Sequence, residues 1–180
     1  LQVDADLIAN HIDSLISQGI VYSTYYDDIL YVYLPEMYVS EVEGVHYTRD
    51  FLIEADPISL DIPDFIERFE ADNHITFGSE QKEAIELSFF EKFSLITGGP
   101  GTGKTTIIKA LVKGFQLGGL GRIILCAPTG RAAKRLTEAT EFEATTIHRL
   151  LMPVAGSDSY DFTKNEDDPL DIDVIIIDEA

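Results

Sequence analysis

The sequence predicts an α/β fold in which a parallel sheet carries helices on its faces and follows a small α+β module. The main observation is the alternation that begins at Ser79, where amphipathic segments and short apolar runs follow one another. Such alternation is typical of parallel sheets, because each strand-to-strand connection crosses a face of the sheet as a helix. The predicted helices are 79–92, 104–116 and 130–139, and the predicted strands are 93–97, 122–127 and 173–178.

The first residues follow a different pattern. Residues 4–18 place apolar side chains at helical spacing, and Gly19 provides a stop. Two β-branched and aromatic runs, 20–26 and 29–35, are separated by two aspartates, which suits a β-hairpin. A helix followed by a hairpin resembles the end of a winged-helix unit, although small α/β modules share this arrangement.

The next stretch, residues 36–72, reads as helical segments interrupted at Pro57 and Pro63. Its second helix begins at a capping Asp61 or at Pro63. We expect this stretch to be a connector that packs on its neighbour.

Charge is distributed unevenly along the chain. The net charge is −19, which argues against nucleic acid as a partner because phosphate binding depends on Lys and Arg. Residues 1–97, however, hold 4 basic and 20 acidic side chains, residues 98–150 hold 8 and 3, and residues 151–180 hold 1 and 9. A polyanion would therefore dock on the middle segment, while the acidic N-terminal region serves solubility or binds a separate protein partner.

The chain has the composition of a soluble globular protein. Hydrophobic residues make up 45% of its 180 residues, and no apolar run approaches the roughly 20 residues that span a bilayer. The N-terminus lacks a basic segment followed by an apolar stretch, so no export signal is evident. We expect a cytoplasmic protein without membrane contact, in which Cys126 is a buried core thiol.

A glycine-rich loop carries the strongest motif. The segment GGPGTGKT fits G-x-x-x-x-G-K-[ST] and lies between an apolar run and an amphipathic helix, which predicts a phosphate-binding loop for ATP. Backbone N–H groups and the positive end of the helix would hold the phosphates, Lys104 would add a mobile charge, and the Thr105 hydroxyl would bind Mg²⁺. The alternative is a glycine-rich turn with an accidental lysine. The predicted nucleotide-binding residues are Gly98, Gly99, Pro100, Gly101, Thr102, Gly103, Lys104, Thr105 and Thr106.

An apolar strand with an acidic end, VIIIDE over 174–179, occurs later in the chain. It matches a Walker B element, in which Asp178 would hold the Mg²⁺ shell and Glu179 would orient and polarise the attacking water. A buried strand with an acidic exit is the alternative, and the upstream phosphate loop weighs against it. We therefore predict ATP hydrolysis with Lys104, Asp178 and Glu179 as catalytic residues.

Gln81 lies 17 residues before Gly98, at the start of a predicted helix. Its amide offers both a donor and an acceptor, which suits the edge of adenine. Taken alone, it would be a surface glutamine.

Two basic, hydroxyl-bearing segments, 127–135 and 144–150, suit a sugar-phosphate backbone. The alternatives are a solvated basic helix face for the first and a structural histidine for the second. The predicted DNA-binding residues are Pro128, Thr129, Gly130, Arg131, Thr146 and His148.

Taken together, the motifs GGPGTGKT, APTGRAAKRL, ATTIHRLL and IIIDEA resemble those of superfamily 1 helicases, and specifically the bacterial RecD-like ATP-dependent DNA helicases. The resemblance is close over 77–180 and less specific upstream. It implies a P-loop, RecA-like ATPase domain that uses ATP to move 5′ to 3′ on single-stranded DNA. It also implies that Gln81, Lys104, Thr105, Asp178 and Glu179 face the nucleotide, and that Thr129, Arg131, Thr146 and His148 face DNA.

The sequence departs from these helicases after Walker B, where no second RecA-like domain, later motif or arginine finger is present. In helicases of this type the strand after Walker B lies between the Walker A and Walker B strands, so the sheet would lack a central member. We therefore expect a fragment that cannot unwind DNA alone, with a small α+β region at 1–75 and a truncated first RecA-like domain at 76–180. A non-catalytic P-loop module that binds nucleotide or a partner, and a small-molecule P-loop ATPase or kinase, remain alternatives.

Overall fold

The computed structural model describes residues 5–53, 55–154 and 161–179. The chain forms two compact units, residues 1–53 and residues 54–180. This division falls earlier than the predicted boundary after residue 75, because the helix Ile62–Asn73 buries Phe65 and Phe69 in the core of the second unit.

The first unit consists of α1 (Ala5–Ser17), β1 (Tyr22–Tyr26), β2 (Ile29–Tyr33) and α2 (Pro35–Arg49). The predicted helix and antiparallel hairpin are confirmed. Asp27 and Asp28 have φ angles of 49° and 63°, so both turn residues adopt the left-handed conformation of the tight two-residue hairpin turn. Gly19, with φ 70°, follows α1 as its predicted stop.

Aromatic contacts join α2 to the hairpin. The ring of Tyr38 stacks on Tyr22 at a centroid distance of 5.0 Å and meets Tyr33 edge-on at 5.7 Å. Pro35 occupies the first turn of α2, where its fixed φ is favourable and its missing N–H is not needed. The side chains that follow the hairpin therefore pack back onto one of its faces.

The second unit contains a three-stranded sheet in the order β4-β3-β5, with every pairing parallel. Leu125 of β3 is the partner of both Ala144 and Ile176, so β3 is the central strand. The parallel α/β fold predicted from the alternation is thus confirmed. Its elements are α3 (Ile62–Asn73), α4 (Ser79–Phe90), α5 (Lys104–Leu117), β3 (Ile123–Ala127), α6 (Gly130–Thr140), β4 (Ala144–Thr146), α7 (Ile147–Leu151) and β5 (Val174–Ile177).

One predicted strand is wrong. Residues 93–97 are irregular, and the Leu95 side chain is 75% exposed. A strand requires hydrogen bonds to a neighbouring strand, and among the described residues no strand pairs with 93–97. Apolar composition alone therefore does not make this segment a strand. Conversely, β4 and α7 were not predicted, because three and five residues are too short to give a clear periodic pattern.

Helix α5 lies at the centre of the unit, with buried side chains on two faces. Ile107 and Leu111 join the aromatic core that α3 and α4 provide, whereas Ile108 and Val112 pack with Leu125 of β3 and with α6. Because α5 is buried on both sides, the position of this helix, which follows the glycine loop, is fixed by packing. Because only residues 118–122 connect α5 to β3, the helix runs antiparallel to the strand, and its N-terminus points toward the carboxyl edge of the sheet.

Gly114 allows the rings of Phe89 and Phe65 to lie directly against helix α5. Phe89 meets Phe115 edge-on with ring centroids 4.8 Å apart. A Cβ on Gly114 would overlap the Phe89 ring and would lie 3.1 Å from Cε1 of Phe65. Since protein interiors are close-packed, the absence of a side chain at this position lets both rings pack against α5.

We predict that Gly114→Ala lowers the free energy of unfolding by about 1–3 kcal/mol, because the added methyl overpacks the core. Denaturant titration measures this loss. The double variant Gly114→Ala with Phe89→Leu should lose less than the sum of the single variants. Gly44→Ala is the matched control, since Gly44 lies within α2 with open space around it. Simple additivity in the double variant would contradict this explanation.

An ion-pair network fastens β5 to β3 at their amino ends. Arg122 pairs with Asp171 and with Asp173, the latter at 2.7 Å, and Asp173 also accepts the backbone N–H of Arg122 at 2.9 Å. These hydrogen bonds from Arg122 lower the pKa of Asp173 from 3.8 to about 2 and raise that of Arg122. The strand that carries the predicted Walker B residues therefore has a second attachment to the central strand.

The Asp173 network predicts a pH-dependent contribution to stability. The folded-state pKa is depressed, so the stabilisation is complete above about pH 4 and disappears as pH falls toward 2. We expect Asp173→Asn to lower the melting temperature at pH 7 by a few degrees, and the difference from the unsubstituted chain to shrink as pH falls. Thermal unfolding monitored by circular dichroism tests this, with the exposed Asp167→Asn as control. A difference that is constant from pH 7 to pH 3 would contradict the assignment.

Candidate nucleotide-binding site

The glycine loop forms a tightly curled backbone cradle immediately before α5. Gly101 and Gly103 have φ angles of 77° and 80°, which side-chain-bearing residues rarely adopt. The Thr102 hydroxyl donates to the Gly99 carbonyl at 2.9 Å, and a Cβ on Gly98 would lie only 2.7 Å from that hydroxyl oxygen. The residues predicted to bind phosphate therefore form a compact loop at a helix N-terminus, which is a favourable place for an anion.

Lys104 is the first residue of α5, and its ammonium group folds back over the loop. Nζ donates to the carbonyls of Gly98 and Gly99, the latter at 2.9 Å. Both acceptors are neutral, and a charged phosphate oxygen is a stronger acceptor for an ammonium. The side chain is therefore placed to transfer these hydrogen bonds to a phosphate in the loop.

Gln81 contacts the loop as well, and sequence reasoning did not predict this. Its Nε2 donates to the Thr102 carbonyl at 2.8 Å, while its Oε1 accepts the N–H of Gly78 at 2.7 Å. The second bond is the glutamine half of a capping box at the start of α4. A single amide thus connects the α4 N-terminus to the phosphate loop.

The acidic strand end lies at the carboxyl edge of the sheet. The Asp178 N–H donates to the Cys126 carbonyl at 2.9 Å, extending the β5 pairing by one residue, and Asp178 is half-buried. Cys126 is fully buried, as predicted, and burial raises the pKa of its thiol. Glu179 is exposed with φ 58°, a left-handed conformation that is uncommon outside glycine and often marks functional sites.

The donor atoms at this edge suit a hard cation. Thr105 lies one residue into α5, whose N-terminus points to the same edge as Asp178. A hydroxyl and a carboxylate are oxygen ligands of the kind that Mg²⁺ uses, and Mg²⁺ commonly takes only one or two ligands from protein. No group of three or more His, Cys, Asp or Glu side chains with metal-site geometry occurs within 5–53, 55–154 and 161–179.

The two basic segments meet beside β3 and β4. Ala127 and Thr146 are register partners at the ends of these strands, so the helices that follow start side by side. Thr129 caps α6 by accepting the Ala132 N–H, and Thr146 caps α7 by accepting the Arg149 N–H, both at 3.2 Å. Their hydroxyls therefore have structural hydrogen bonds in addition to any role with a ligand.

A groove of about 450 Å³ lies between α6 and β4. Of the predicted DNA-binding residues, Gly130 and Thr146 line it, while Pro128, Arg131 and His148 are exposed nearby. Lys134 and Arg149 lie within the two basic segments that the sequence singles out, although neither is among the predicted DNA-binding residues, and Thr137 lies outside both segments. The helical spacing of these residues from Gly130 and Thr146 is the signal that could have indicated them. The groove is lined by Gly130, Ala133, Lys134, Thr137, Glu138, Glu143, Ala144, Thr145, Thr146 and Arg149.

Comparison with known families shows to which family the chain belongs. The sequence profile of the AAA domain matches residues 81–180, which is more than half of the chain. The chain belongs to the AAA domain family. Membership implies that this AAA domain uses a nucleotide, and the matched range begins at Gln81 and includes the glycine loop, both basic segments and the acidic strand end.

Proteins similar to this chain include RecD-like helicases, the group that its motifs resemble. The ATP-dependent RecD2 DNA helicase of Deinococcus radiodurans is 41% identical over 101 residues, covering 56% of this chain and 13% of that protein. The RecBCD enzyme subunit RecD of Mycolicibacterium smegmatis is 37% identical over 123 residues, and that of Haemophilus influenzae is 36% identical over 125. The chain spans 22% and 19% of the lengths of these two subunits. Across the part of the chain that the structure describes, no helix combines the length and apolarity needed to cross a membrane.

Proposed function

We propose that this chain provides the ATP-binding part of a RecD-like DNA helicase motor, which hydrolyses ATP to move 5′ to 3′ along single-stranded DNA. The observation that carries the proposal is the glycine loop, whose curled backbone and overlying Lys104 lie at the N-terminus of a helix that is buried on two faces. An anion such as phosphate is favoured at this place. The similarity to the ATP-dependent RecD2 DNA helicase of Deinococcus radiodurans supports the same activity.

In this proposal, different residues around the loop bind the phosphates, bind the metal ion and activate the attacking water. The loop N–H groups and Lys104 would bind the β- and γ-phosphates, and the Thr105 hydroxyl and Asp178 carboxylate would hold Mg²⁺. The cation would neutralise charge that develops on the phosphate oxygens. Glu179, exposed at the carboxyl edge, orients the attacking water and accepts its proton, so that the bond between the β- and γ-phosphates is cleaved by hydrolysis.

Single-stranded DNA would lie along the groove between α6 and β4. Lys134 and Arg149 provide cationic groups there, and Thr137, Thr145 and Thr146 provide hydroxyls, a combination suited to phosphates and sugars. Glu138 and Glu143 also line the groove and would limit how closely a phosphate approaches their end of it. For the acidic N-terminal region, a protein partner with a basic surface fits the charge better than DNA does.

Salt-dependent binding of a fluorescent single-stranded oligonucleotide tests the DNA part of the proposal. The logarithm of the affinity should fall linearly with the logarithm of salt concentration, and Arg149→Ala should reduce that slope by about 0.7, the contribution of one phosphate contact. Arg68→Ala is the control, because Arg68 is exposed on α3 and pairs with Asp64. Equal losses in the two variants, or binding that salt does not weaken, would contradict the proposed groove.

A further inference from the structure

The amide of Gln81 is held between two backbone segments that are far apart in sequence. One of its hydrogen bonds stays within the capping box at Gly78, whereas the other reaches the Thr102 carbonyl, 21 positions away. Helix α4, on which Gln81 lies, is anchored by Ile85 and Phe89, which are 0% and 2% exposed in the core that also receives α5. The amide therefore projects from a fixed helix onto the loop.

The fit between Gln81 and the loop is close. A Cβ on Gly103 would lie 2.5 Å from the Gln81 Nε2, so the approach requires glycine at this position. Gly103 also has φ 80°, and its carbonyl accepts the N–H of Ile107 as the first hydrogen bond of α5. The contact is thus made at the junction where the glycine loop becomes the helix.

We propose that Gln81 is a positioning residue that holds the Thr102–Gly103 turn of the phosphate loop, and so strengthens phosphate binding whether or not the ligand carries a base. This inference rests on the proposed nucleotide site and deepens it. A primary amide has two N–H donors and two acceptor lone pairs. Its two contacts use one of each, so holding the loop is compatible with the adenine contact that the sequence predicts.

Pre-organisation is the physical reason that this contact affects affinity. The loop N–H groups must converge on a phosphate, and a loop that already has this shape loses less conformational entropy on binding. A side-chain hydrogen bond contributes about 0.5–1.5 kcal/mol, which corresponds to about a two- to tenfold change in a dissociation constant. If the Gln81 amide contacted only adenine, its substitution would not change the affinity for a ligand without a base.

Inorganic tripolyphosphate, which has phosphates but no base, separates the two roles. Calorimetric titration with Mg²⁺ should show that Gln81→Met weakens tripolyphosphate binding about two- to tenfold and weakens ADP binding at least as much. Methionine preserves the side-chain length while removing both hydrogen bonds, and Gln81 is only half-buried, so the core stays intact. Unchanged tripolyphosphate affinity together with weakened ADP binding would overturn the inference and leave adenine reading as the role of Gln81.

Two further variants test the helix cap as an alternative cause and control for surface substitution. Gln81→Glu keeps an acceptor for the Gly78 N–H, removes the donor to Thr102 and adds a negative charge beside the loop, so it should bind tripolyphosphate no better than Gln81→Met. Affinity restored to that of the unsubstituted chain would show that the helix cap causes the effect, and would overturn the inference. Gln116→Met, on an exposed position in the last turn of α5, should change neither affinity. If the unsubstituted chain binds neither tripolyphosphate nor ADP, the proposed nucleotide site itself fails.

Discussion

Lys104→Ala should weaken ATP binding by one to two orders of magnitude. The ammonium already makes two hydrogen bonds within the glycine loop and lies at the place where phosphates would bind. A hydrogen bond involving a charged group contributes about 1.5–3 kcal/mol, which corresponds to roughly 10- to 150-fold in the dissociation constant. Fluorescence titration with a labelled ATP analogue measures the effect directly.

Lys113→Ala is the matched control for this experiment. Lys113 lies on the same helix and is exposed near its C-terminal end, away from the loop. Its substitution removes an equal charge from the chain and should leave the dissociation constant within about twofold. Comparable weakening by both substitutions would mean that net charge, rather than a contact made by Lys104, explains the affinity.

Glu179→Gln should preserve ATP binding and reduce hydrolysis about 10²- to 10⁴-fold, the contribution typical of a general base. Glutamine has the same shape but cannot accept the proton of the attacking water. Because neither side chain is glycine, both face the same constraint at φ 58°, and the substitution should not disturb the strand end. Single-turnover measurements of the ATP hydrolysis rate, made on the protein encoded by the whole reading frame, separate the chemical step from binding.

Glu166→Gln provides the comparison, because Glu166 is an exposed acid in the connection before β5. It should leave both the binding and the rate of hydrolysis unchanged. Normal turnover by Glu179→Gln would remove Glu179 from the role of base, whereas weakened ATP binding by this variant would indicate a role in holding the nucleotide.

The parts of the second unit that follow local rules were predictable from sequence. Helix α5 was evident because Ile107, Ile108, Leu111 and Val112 recur at helical spacing after a glycine loop. Strands β3 and β5 were evident because both are short apolar runs, and the helical segment predicted between them favoured parallel pairing. In the first unit, the hairpin followed from two β-rich runs separated by two residues that tolerate left-handed φ.

Features that depend on distant partners were not predictable. Residues 93–97 have the composition of a strand, but strand formation is decided by the neighbour that provides hydrogen bonds, which a local pattern does not reveal. The Gln81 contact with Thr102 joins positions 21 apart, and its geometry depends on how α4 and α5 pack. Lys134 and Arg149 belong to one groove only because α6 and α7 begin at neighbouring strand ends.

DNA-stimulated ATP hydrolysis tests the proposed motor function most directly. The measurement compares the product of the whole reading frame with its Lys104→Ala variant, each with and without single-stranded DNA, at several salt concentrations. We predict that single-stranded DNA accelerates hydrolysis by the unsubstituted protein, that higher salt reduces this acceleration, and that Lys104→Ala abolishes hydrolysis. ATP hydrolysis that proceeds at the same rate with and without DNA would contradict the helicase proposal and favour a self-contained P-loop enzyme.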